Sequence, residues 1–306
     1  MTRMNEVDVG QSRDRVARQL VGRERELELT LAAVAAGRDI VLEGPPGTSK
    51  TTMLRAITSE WGIPLLFVEG NADLTPAKLV GHHNPARVLR EDYNADNFVD
   101  GPLVEAMRRG GFLYIEEFNR APEDTLNTLL TAMADRSIAI PRVGSVDALP
   151  TFRVIASMNP YDNVGTTRLS TSVLDRLNRL AVDYQDREAE EQIVALRSEL
   201  EGDLARRLTA DAVAVTRATR RHPDIRQGSS VRGAIDCVLI ADQIARLRSL
   251  SLPDDGRYDE LVYDAMVVAL SGRIQLDEAA ETTPERVLRE IWEDHFILEP
   301  AAAAPG

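Results

Sequence analysis

The segment Gly44-Pro45-Pro46-Gly47-Thr48-Ser49-Lys50-Thr51 is the part of the chain best suited to chemistry. It follows a short apolar run and precedes a stretch with helical periodicity. Glycines let the backbone approach a ligand closely, and a helix that starts at such a loop directs its N–H groups toward negative charge. A lysine followed by a hydroxyl suits terminal phosphates and a Mg²⁺ ion. We therefore predict a phosphate-binding loop over 44–51, called the phosphate loop below.

Ser49 departs from the usual G-x-x-x-x-G-K-[ST] pattern, because it stands where the last glycine is expected. Its Cβ restricts the backbone, so the loop must keep an angle that an L-residue tolerates. We expect Ser49 to tune the loop without abolishing binding, and its effect should appear in turnover.

A second candidate is the acid pair Glu116-Glu117, which closes the apolar run Phe112-Leu113-Tyr114-Ile115. A strand that ends in two acids delivers carboxylates to the carboxyl edge of a sheet, where the phosphate loop is also expected. We predict that Glu116 and Thr51 hold Mg²⁺ and that Glu117 orients and deprotonates an attacking water. Glu116 stands where aspartate is usual, and its longer side chain changes how a water would bridge to the metal.

Apolar runs alternate with helical periodicities over the first part of the chain. Strands connected by helices pair in parallel, so we predict a doubly wound α/β domain over 20–185. The predicted strands are 39–43, 64–68, 111–115 and 152–157, the predicted helices are 24–36, 51–61 and 125–134, and a hairpin is predicted over 138–149.

After about residue 186 the apolar residues recur with helical spacing and no strand-like run interrupts them. We predict a small all-helical lid domain over 186–298, a flexible arm or exposed helix over 1–19 and a flexible tail over 299–306. The predicted helices of the lid are 188–200, 210–221, 230–248, 258–270 and 284–296.

The composition excludes several classes of protein. A net charge of −13 argues against a protein that binds duplex nucleic acid, which usually carries a basic surface. The single cysteine, Cys237, rules out an internal disulfide and a cysteine-rich zinc site, and its apolar neighbours predict a buried helical position. No apolar stretch approaches the ~18 residues of a membrane span, and the start lacks a signal-peptide core, so we expect a cytoplasmic protein.

Three segments form a common pattern: the phosphate loop, the run 115–122 with Asn119-Arg120-Ala121-Pro122, and the run 156–160 with Asn159-Pro160. Together they resemble the MoxR family of AAA+ ATPases, which is related to magnesium-chelatase ATPase subunits. The later Leu174-Asp175-Arg176 adds to the match, which extends from about Val21 to the end of the lid. The resemblance implies a P-loop AAA+ fold that binds ATP with Mg²⁺ and hydrolyses it.

The resemblance also implies roles for residues outside the two motifs. Asn159 matches the sensor that places water near the γ-phosphate. Arg176 matches an arginine finger that reaches the nucleotide of a neighbouring subunit, and Arg179, three residues later on a similar helical face, is the alternative. Arg232 matches the lid arginine that contacts phosphates, with Arg226 as its competitor.

The implied nucleotide-binding set is wider than the lysine and the hydroxyl, because the resemblance places the backbone at Val21-Gly22-Arg23 against the adenine. The predicted residues are Gly22, Gly44, Pro45, Pro46, Gly47, Thr48, Ser49, Lys50, Thr51 and Thr52.

An arginine supplied by a neighbour implies a homo-oligomer, which the family suggests is a hexameric ring. The family also implies a chaperone-like role that remodels or activates a partner, often one with a von Willebrand factor A domain, sometimes with metal insertion. The segments 76–104 and 138–150 take the place of family inserts that line the ring pore. Phe98, Val99, Arg142 and Val143 are the contact candidates there, with loop packing as the equal alternative.

Two other functions fit parts of the pattern. Ser49 and Glu116, which both depart from the usual motifs, are compatible with a nucleotide-gated scaffold that binds ATP and hardly hydrolyses it. A nucleic-acid motor is the other alternative, since AAA+ rings include helicase relatives, and the net charge of −13 argues against it.

Overall fold

The computed structural model describes residues 9–91, 93–160, 169–250 and 257–298. These residues form two compact units, the first within 1–45 and 49–183 and the second within 46–48 and 184–306. The predicted tail at 299–306 and the first eight residues of the predicted arm lie outside the described residues.

The first unit is built on a sheet of five parallel strands in the order β2-β5-β8-β1-β9, with two antiparallel strand pairs, β3-β4 and β6-β7, beside it. This arrangement, with helices flanking the sheet, confirms the predicted doubly wound α/β fold. The pair β6-β7 is the predicted hairpin. The strands are β1 Ile40–Glu43, β2 Leu65–Glu69, β3 Gly81–His83, β4 Phe98–Asp100, β5 Phe112–Glu116, β6 Ser137–Ile140, β7 Gly144–Asp147, β8 Arg153–Met158 and β9 Asn178–Ala181.

The helices of the first unit include one that the sequence placed in a flexible arm. Helix α1 packs on α2 and α3, with Val16 fully buried in the same cluster as Leu27 and Ile57, so this helix contributes to the core. The sequence allowed for a helix here, but not for its packing on the core, because a single buried valine leaves little periodic signal. The helices are α1 Val9–Ala17, α2 Glu24–Ala35, α3 Lys50–Trp61, α4 Pro76–Val80, α5 Pro85–Glu91, α6 Pro102–Arg109, α7 Glu123–Asp135 and α8 Thr171–Arg176.

Side chains of the central strands point alternately to two apolar clusters, because successive residues of a strand face opposite sides of the sheet. On β5, Phe112 and Tyr114 pack with α2 and α3, whereas Leu113 and Ile115 pack on the other side against residues of α6 and α7. The period of two therefore places Glu116 on the same side of the sheet as Tyr114 and helix α3.

The second unit has five α-helices among its described residues, as predicted, but it also contains a short antiparallel pair, β10 with β11. The expectation that no strand occurs here is therefore wrong: segments of three and two residues are too short to show an alternating pattern. The elements are α9 Arg187–Ser198, α10 Asp203–Thr219, β10 Ile225–Gln227, α11 Val231–Leu247, α12 Tyr258–Leu270, β11 Gln275–Leu276 and α13 Pro284–Glu293.

Helix α11 carries Cys237, which is buried as the sequence predicted. Burial raises the pKa of its thiol to about 12. Among the described residues, no helix has the length and apolar content that crossing a membrane requires.

Candidate functional site

The phosphate loop connects the end of β1 to the start of α3. Lys50 is largely buried, and its Nζ donates hydrogen bonds to the carbonyl oxygens of Gly44 and Pro45 at 2.9 and 2.7 Å. A Cβ atom on Gly44 would lie 1.8 Å from the Val182 carbonyl oxygen, so only glycine fits where the loop passes the end of β9. The loop thus folds around the ammonium group of its lysine, which a phosphate could reach by competing with two carbonyl oxygens.

Ser49 precedes α3 with φ 63° and ψ 18°, in the left-handed region. The sequence required an angle that an L-residue tolerates, and serine does adopt it, but at a cost of about 1 kcal/mol relative to glycine. The usual glycine at this position therefore has a physical reason here. The departure therefore strains the backbone at Ser49.

The metal-binding candidates lie together at the carboxyl edge of the sheet. Thr51, in the first turn of α3, has its Oγ1 3.3 Å from Glu116 Oε1 at the end of β5. Both side chains are partly exposed, so a cation could reach them. Hydroxyl and carboxylate oxygens are hard donors of the kind that Mg²⁺ prefers, so these residues fit the predicted ion.

Glu117 follows Glu116 in a left-handed conformation, with φ 52° and ψ 43°. Its carboxylate pairs with Arg120 at 2.9 Å, and both side chains remain well exposed. Its carbonyl oxygen would lie 2.4 Å from a Cβ atom on Gly70, so β2 and β5 pack tightly here. Strained non-glycine residues cluster at functional sites, which supports a role for this carboxylate.

Tyr114 is a further residue of the site, and the motifs assigned no role to it. Its ring is fully buried, its hydroxyl donates to Ser157 Oγ at 3.0 Å, and the same oxygen lies 3.2 Å from Thr51 Oγ1. Burial raises the pKa of Tyr114. A tyrosine two residues before Glu116 and a serine two residues before Asn159 are the available signals, since a strand places such pairs on one face.

Asn159 comes one residue after β8, which pairs in parallel with both β1 and β5. The Gly44 N–H donates to the Met158 carbonyl oxygen at 3.0 Å, so the backbone places Asn159 directly beside the start of the phosphate loop. The side chain is partly exposed. The sensor role that the resemblance implies for Asn159 stays a prediction.

Arg176 ends α8 near the amino-terminal ends of the parallel strands. It lines a pocket of about 410 Å³ there with Arg38, Asp39 and Arg136. Asp39 precedes β1 and the phosphate loop follows it, so the four residues of β1, about 13 Å, separate Arg176 from the loop of its own chain. Arg176 therefore lies at the start of β1, away from the phosphate loop of its own chain.

The sequence suggested that Arg179 shares a helical face with Arg176. The structure shows that it does not. It lies in β9, which pairs with β1, and its guanidinium forms an ion pair with Glu43 at the end of β1. That carboxylate raises the pKa of Arg179. The strand was missed because Asn178–Ala181 is an edge strand with little apolar content. Its ion pair supports a structural role for Arg179.

Comparison with known proteins identifies the fold to which this site belongs. Residues 39–177 match the AAA domain of the dynein-related subfamily, which covers the phosphate loop, the acid pair, Asn159 and Arg176. This part of the chain is an AAA domain. The resemblance that the sequence motifs indicated is thereby confirmed, since the chain is similar to AAA+ proteins of the GvpN and MoxR type.

Two relatives carry the name gas vesicle ATPase GvpN. The protein from Ancylobacter aquaticus is 28% identical over 297 residues, which cover 90% of this chain and 80% of that protein. The protein from Haloferax mediterranei is 31% identical over 209 residues, which cover 63% of this chain and only 59% of the relative. Among solved structures, NtrX from Brucella abortus in complex with ADP has a TM-score of 0.53 at 22% identity, covering 93% of this chain and 64% of that one. At that identity the likeness to NtrX shows the fold alone.

The tip of the AAA+ phosphate loop, 46–48, groups with the second unit. A Cβ atom on Gly47, whose φ is 75°, would lie 2.4 Å from Ser230 Oγ and 3.9 Å from Arg232 Cγ. Arg232 is exposed in the first turn of α11, whereas its competitor Arg226 lies in β10 and pairs with Glu278 at 3.8 Å. Arg232 therefore lies near Gly47 within the second unit, and its role as the lid arginine stays a prediction.

A buried carboxylate supports the segment that leads into α11. Glu190 is almost completely buried and pairs with Arg217 at 2.8 Å and with Arg220 at 2.7 Å. Arg220 Nε also donates to the Ser229 carbonyl oxygen at 2.7 Å. Because a planar guanidinium holds several acceptors at fixed angles, this network fixes the start of the helix that carries Arg232.

The remaining predicted residues have simpler surroundings. Gly22 adopts φ 61° in the turn before α2, and the neighbouring Arg23 is buried with its guanidinium donating to the Asp183 carbonyl oxygen at 2.6 Å.

In the two inserts, Phe98 and Val143 pack against the core, whereas Val99 and Arg142 are exposed. Of these four contact candidates, Val99 and Arg142 are therefore the ones whose exposure would allow contact with a partner.

Proposed function

We propose that this AAA+ protein is a Mg²⁺-dependent ATPase. The observation that carries the proposal is the contact of 3.3 Å between Thr51 Oγ1 and Glu116 Oε1, next to a loop that encloses the Lys50 ammonium group. A Mg²⁺ ion bound by these two oxygens would neutralise charge on the phosphate oxygens. Lys50 would contact the terminal phosphates, and the backbone N–H groups of the loop would surround the others.

Hydrolysis also needs a base and a group that orients water. Glu117 is the proposed base, because its carboxylate is exposed at the same edge of the sheet and its backbone is held in a strained conformation. Asn159 is proposed to orient the water from the adjacent strand β8. Arg232, beside Gly47, is proposed to contact the phosphates and to report their state to the second unit.

The position of Arg176 supports an assembly of several copies. Arg176 lies near the start of β1 and the phosphate loop follows its end. A ring of identical chains can therefore bring the arginine of one copy to the nucleotide of the next. We propose a homo-oligomeric ring, with six copies as the resemblance suggests, and a monomer that is nearly inactive.

The proposed task of the ring is to remodel or activate a client protein. This rests on the resemblance to MoxR proteins, which also suggests a client with a von Willebrand factor A domain and metal insertion. The exposed Val99 and Arg142 on the two inserts are the proposed contact residues. The net charge of −13 supports a protein client over a nucleic acid.

Binding of a fluorescent ATP analogue tests the nucleotide site directly. Lys50→Ala should weaken binding at least tenfold, because it removes the only ammonium group in the loop. Lys78→Ala is the matched control, since Lys50 and Lys78 are the only lysines in the chain and Lys78 is exposed on α4. Equal affinities of the two variants would overturn the proposed site.

A further inference from the structure

We propose that Tyr114 is a positioning residue that turns the hydroxyl proton of Thr51 away from the cation site, so that Thr51 and Glu116 can both offer lone pairs to one metal ion. The inference rests on the proposed function and adds a way in which the same site is regulated. It starts from the arrangement of three hydroxyl groups on three different elements.

The pleat of the sheet explains why these groups meet. Tyr114 lies opposite Ile155 in the parallel register of β5 and β8, so Ser157, two residues further along β8, lies diagonally from it on the same face. That face packs against α3, which carries Thr51 in its first turn. An edge-to-face contact with Phe67, with ring centroids 5.7 Å apart, fixes the tyrosine ring.

The hydrogen bonds have a defined direction, because a tyrosine hydroxyl has one proton. That proton goes to Ser157 Oγ at 3.0 Å. The distance of 3.2 Å between the Tyr114 and Thr51 hydroxyls allows either oxygen to donate. With the Tyr114 proton directed to Ser157, Thr51 is the donor and Tyr114 the acceptor in this contact. The lone pairs of Thr51 Oγ1 then remain available to a cation.

Glu116 Oε1 is the alternative acceptor for the Thr51 proton, at 3.3 Å. If Thr51 donates to Glu116, the bond occupies a carboxylate lone pair that a metal would need. Tyr114 removes this competition. The longer glutamate, which stands where aspartate is usual, can then serve the ion.

The same chain of hydroxyls ties the cation site to β8, the strand that leads to Asn159. A shift of β8 that moves Ser157 would release the Tyr114 proton and change the direction of the Thr51 bond. The affinity for Mg²⁺ is thereby linked to the position of the strand that carries the proposed water-orienting residue.

The test compares nucleotide binding with Mg²⁺ and with EDTA in Tyr114→Phe. Without the tyrosine acceptor, the Mg²⁺ concentration that gives half of the maximal enhancement of nucleotide binding should rise about five- to tenfold. The nucleotide affinity measured in EDTA should stay within about twofold of wild type. Tyr258→Phe is the matched control, because Tyr258 is also buried, its hydroxyl bonds to Asp211 at 2.6 Å, and it lies in the second unit. It should leave the Mg²⁺ requirement unchanged.

Ser157→Ala provides a second variant, in which β5 is intact and Tyr114 loses its acceptor. It should raise the Mg²⁺ requirement in the same direction, by about two- to threefold. An unchanged Mg²⁺ requirement in both variants, or an equal loss of binding with and without Mg²⁺, would overturn the inference and leave the proposed function standing. Failure of the wild-type chain to bind nucleotide would overturn both.

Discussion

Replacing Ser49 with glycine should stabilise the protein, because the wild-type serine adopts φ 63° in the left-handed region. An L-residue there costs about 1–2 kcal/mol, which glycine avoids. Glycine in turn loses more backbone entropy on folding, which offsets about 0.5–1 kcal/mol of that gain. The expected net stabilisation is therefore about 0.5–1 kcal/mol, or a rise in Tm of about 2 °C for a unit of this size.

Calorimetry on Ser49→Gly and Ser249→Gly provides the measurement with its matched control. Ser249, after α11 in the second unit, also has a positive φ, of 51°, so the same exchange relieves the same strain there. We expect both variants to unfold at higher temperature. Only Ser49→Gly changes a residue of the phosphate loop.

The nucleotide affinity of Ser49→Gly should stay within about threefold of wild type, because the wild-type loop already has the conformation that glycine would adopt. Any effect on function should appear in turnover. A rise in Tm for Ser249→Gly without one for Ser49→Gly would refute the claim that the loop is strained at Ser49.

Three further predictions concern other parts of the chain. Glu190→Gln should destabilise the second unit by about 3 kcal/mol in urea unfolding, because it leaves two arginines without a buried carboxylate, and a loss below about 1 kcal/mol would contradict this. Because the pKa of Cys237 is raised to about 12, the neutral thiol predominates at pH 8, and a thiol reagent should label it only after unfolding; rapid labelling of the native protein would refute the burial. Arg176→Ala and Glu117→Gln should each be inactive alone and regain activity when mixed, whereas Arg179→Ala alone should still hydrolyse ATP; a mixture without recovery would exclude an arginine supplied in trans.

The sequence predicted those parts of the fold in which buried strands carry continuous apolar runs. The segments 111–115 and 152–157 became β5 and β8, the central strands of the sheet. Strand β9 was missed, because its pairing with β1 depends on a contact between residues far apart in the chain, and its exposed edge needs no apolar side chains. The Val182 carbonyl oxygen, which closes on Gly44 at the end of this strand, belongs to the same missed contact.

The site was predicted to the extent that local spacing determines it. Lys50, Thr51 and Glu116 meet because a strand-loop-helix and a neighbouring parallel strand end at one edge, which spacing alone indicates. The left-handed angle at Ser49 is a property of the folded loop, and the residue type alone does not predict it. Tyr114 lies in an apolar strand, so its spacing indicated only core packing. The partner of its hydroxyl, Ser157, lies on another strand and becomes apparent only in the folded structure.

Steady-state ATP hydrolysis by wild type and Glu117→Gln, under conditions in which the protein assembles, tests the central claim most directly. Glu123→Gln is the matched control, because Glu123 is exposed in the first turn of α7. Losing the pair between Glu117 and Arg120 should hardly affect stability, since both groups are exposed. We predict that Glu117→Gln binds ATP like wild type and hydrolyses it at least about 100-fold more slowly. Equally slow hydrolysis by wild type and Glu117→Gln would contradict the account and favour a nucleotide-gated scaffold.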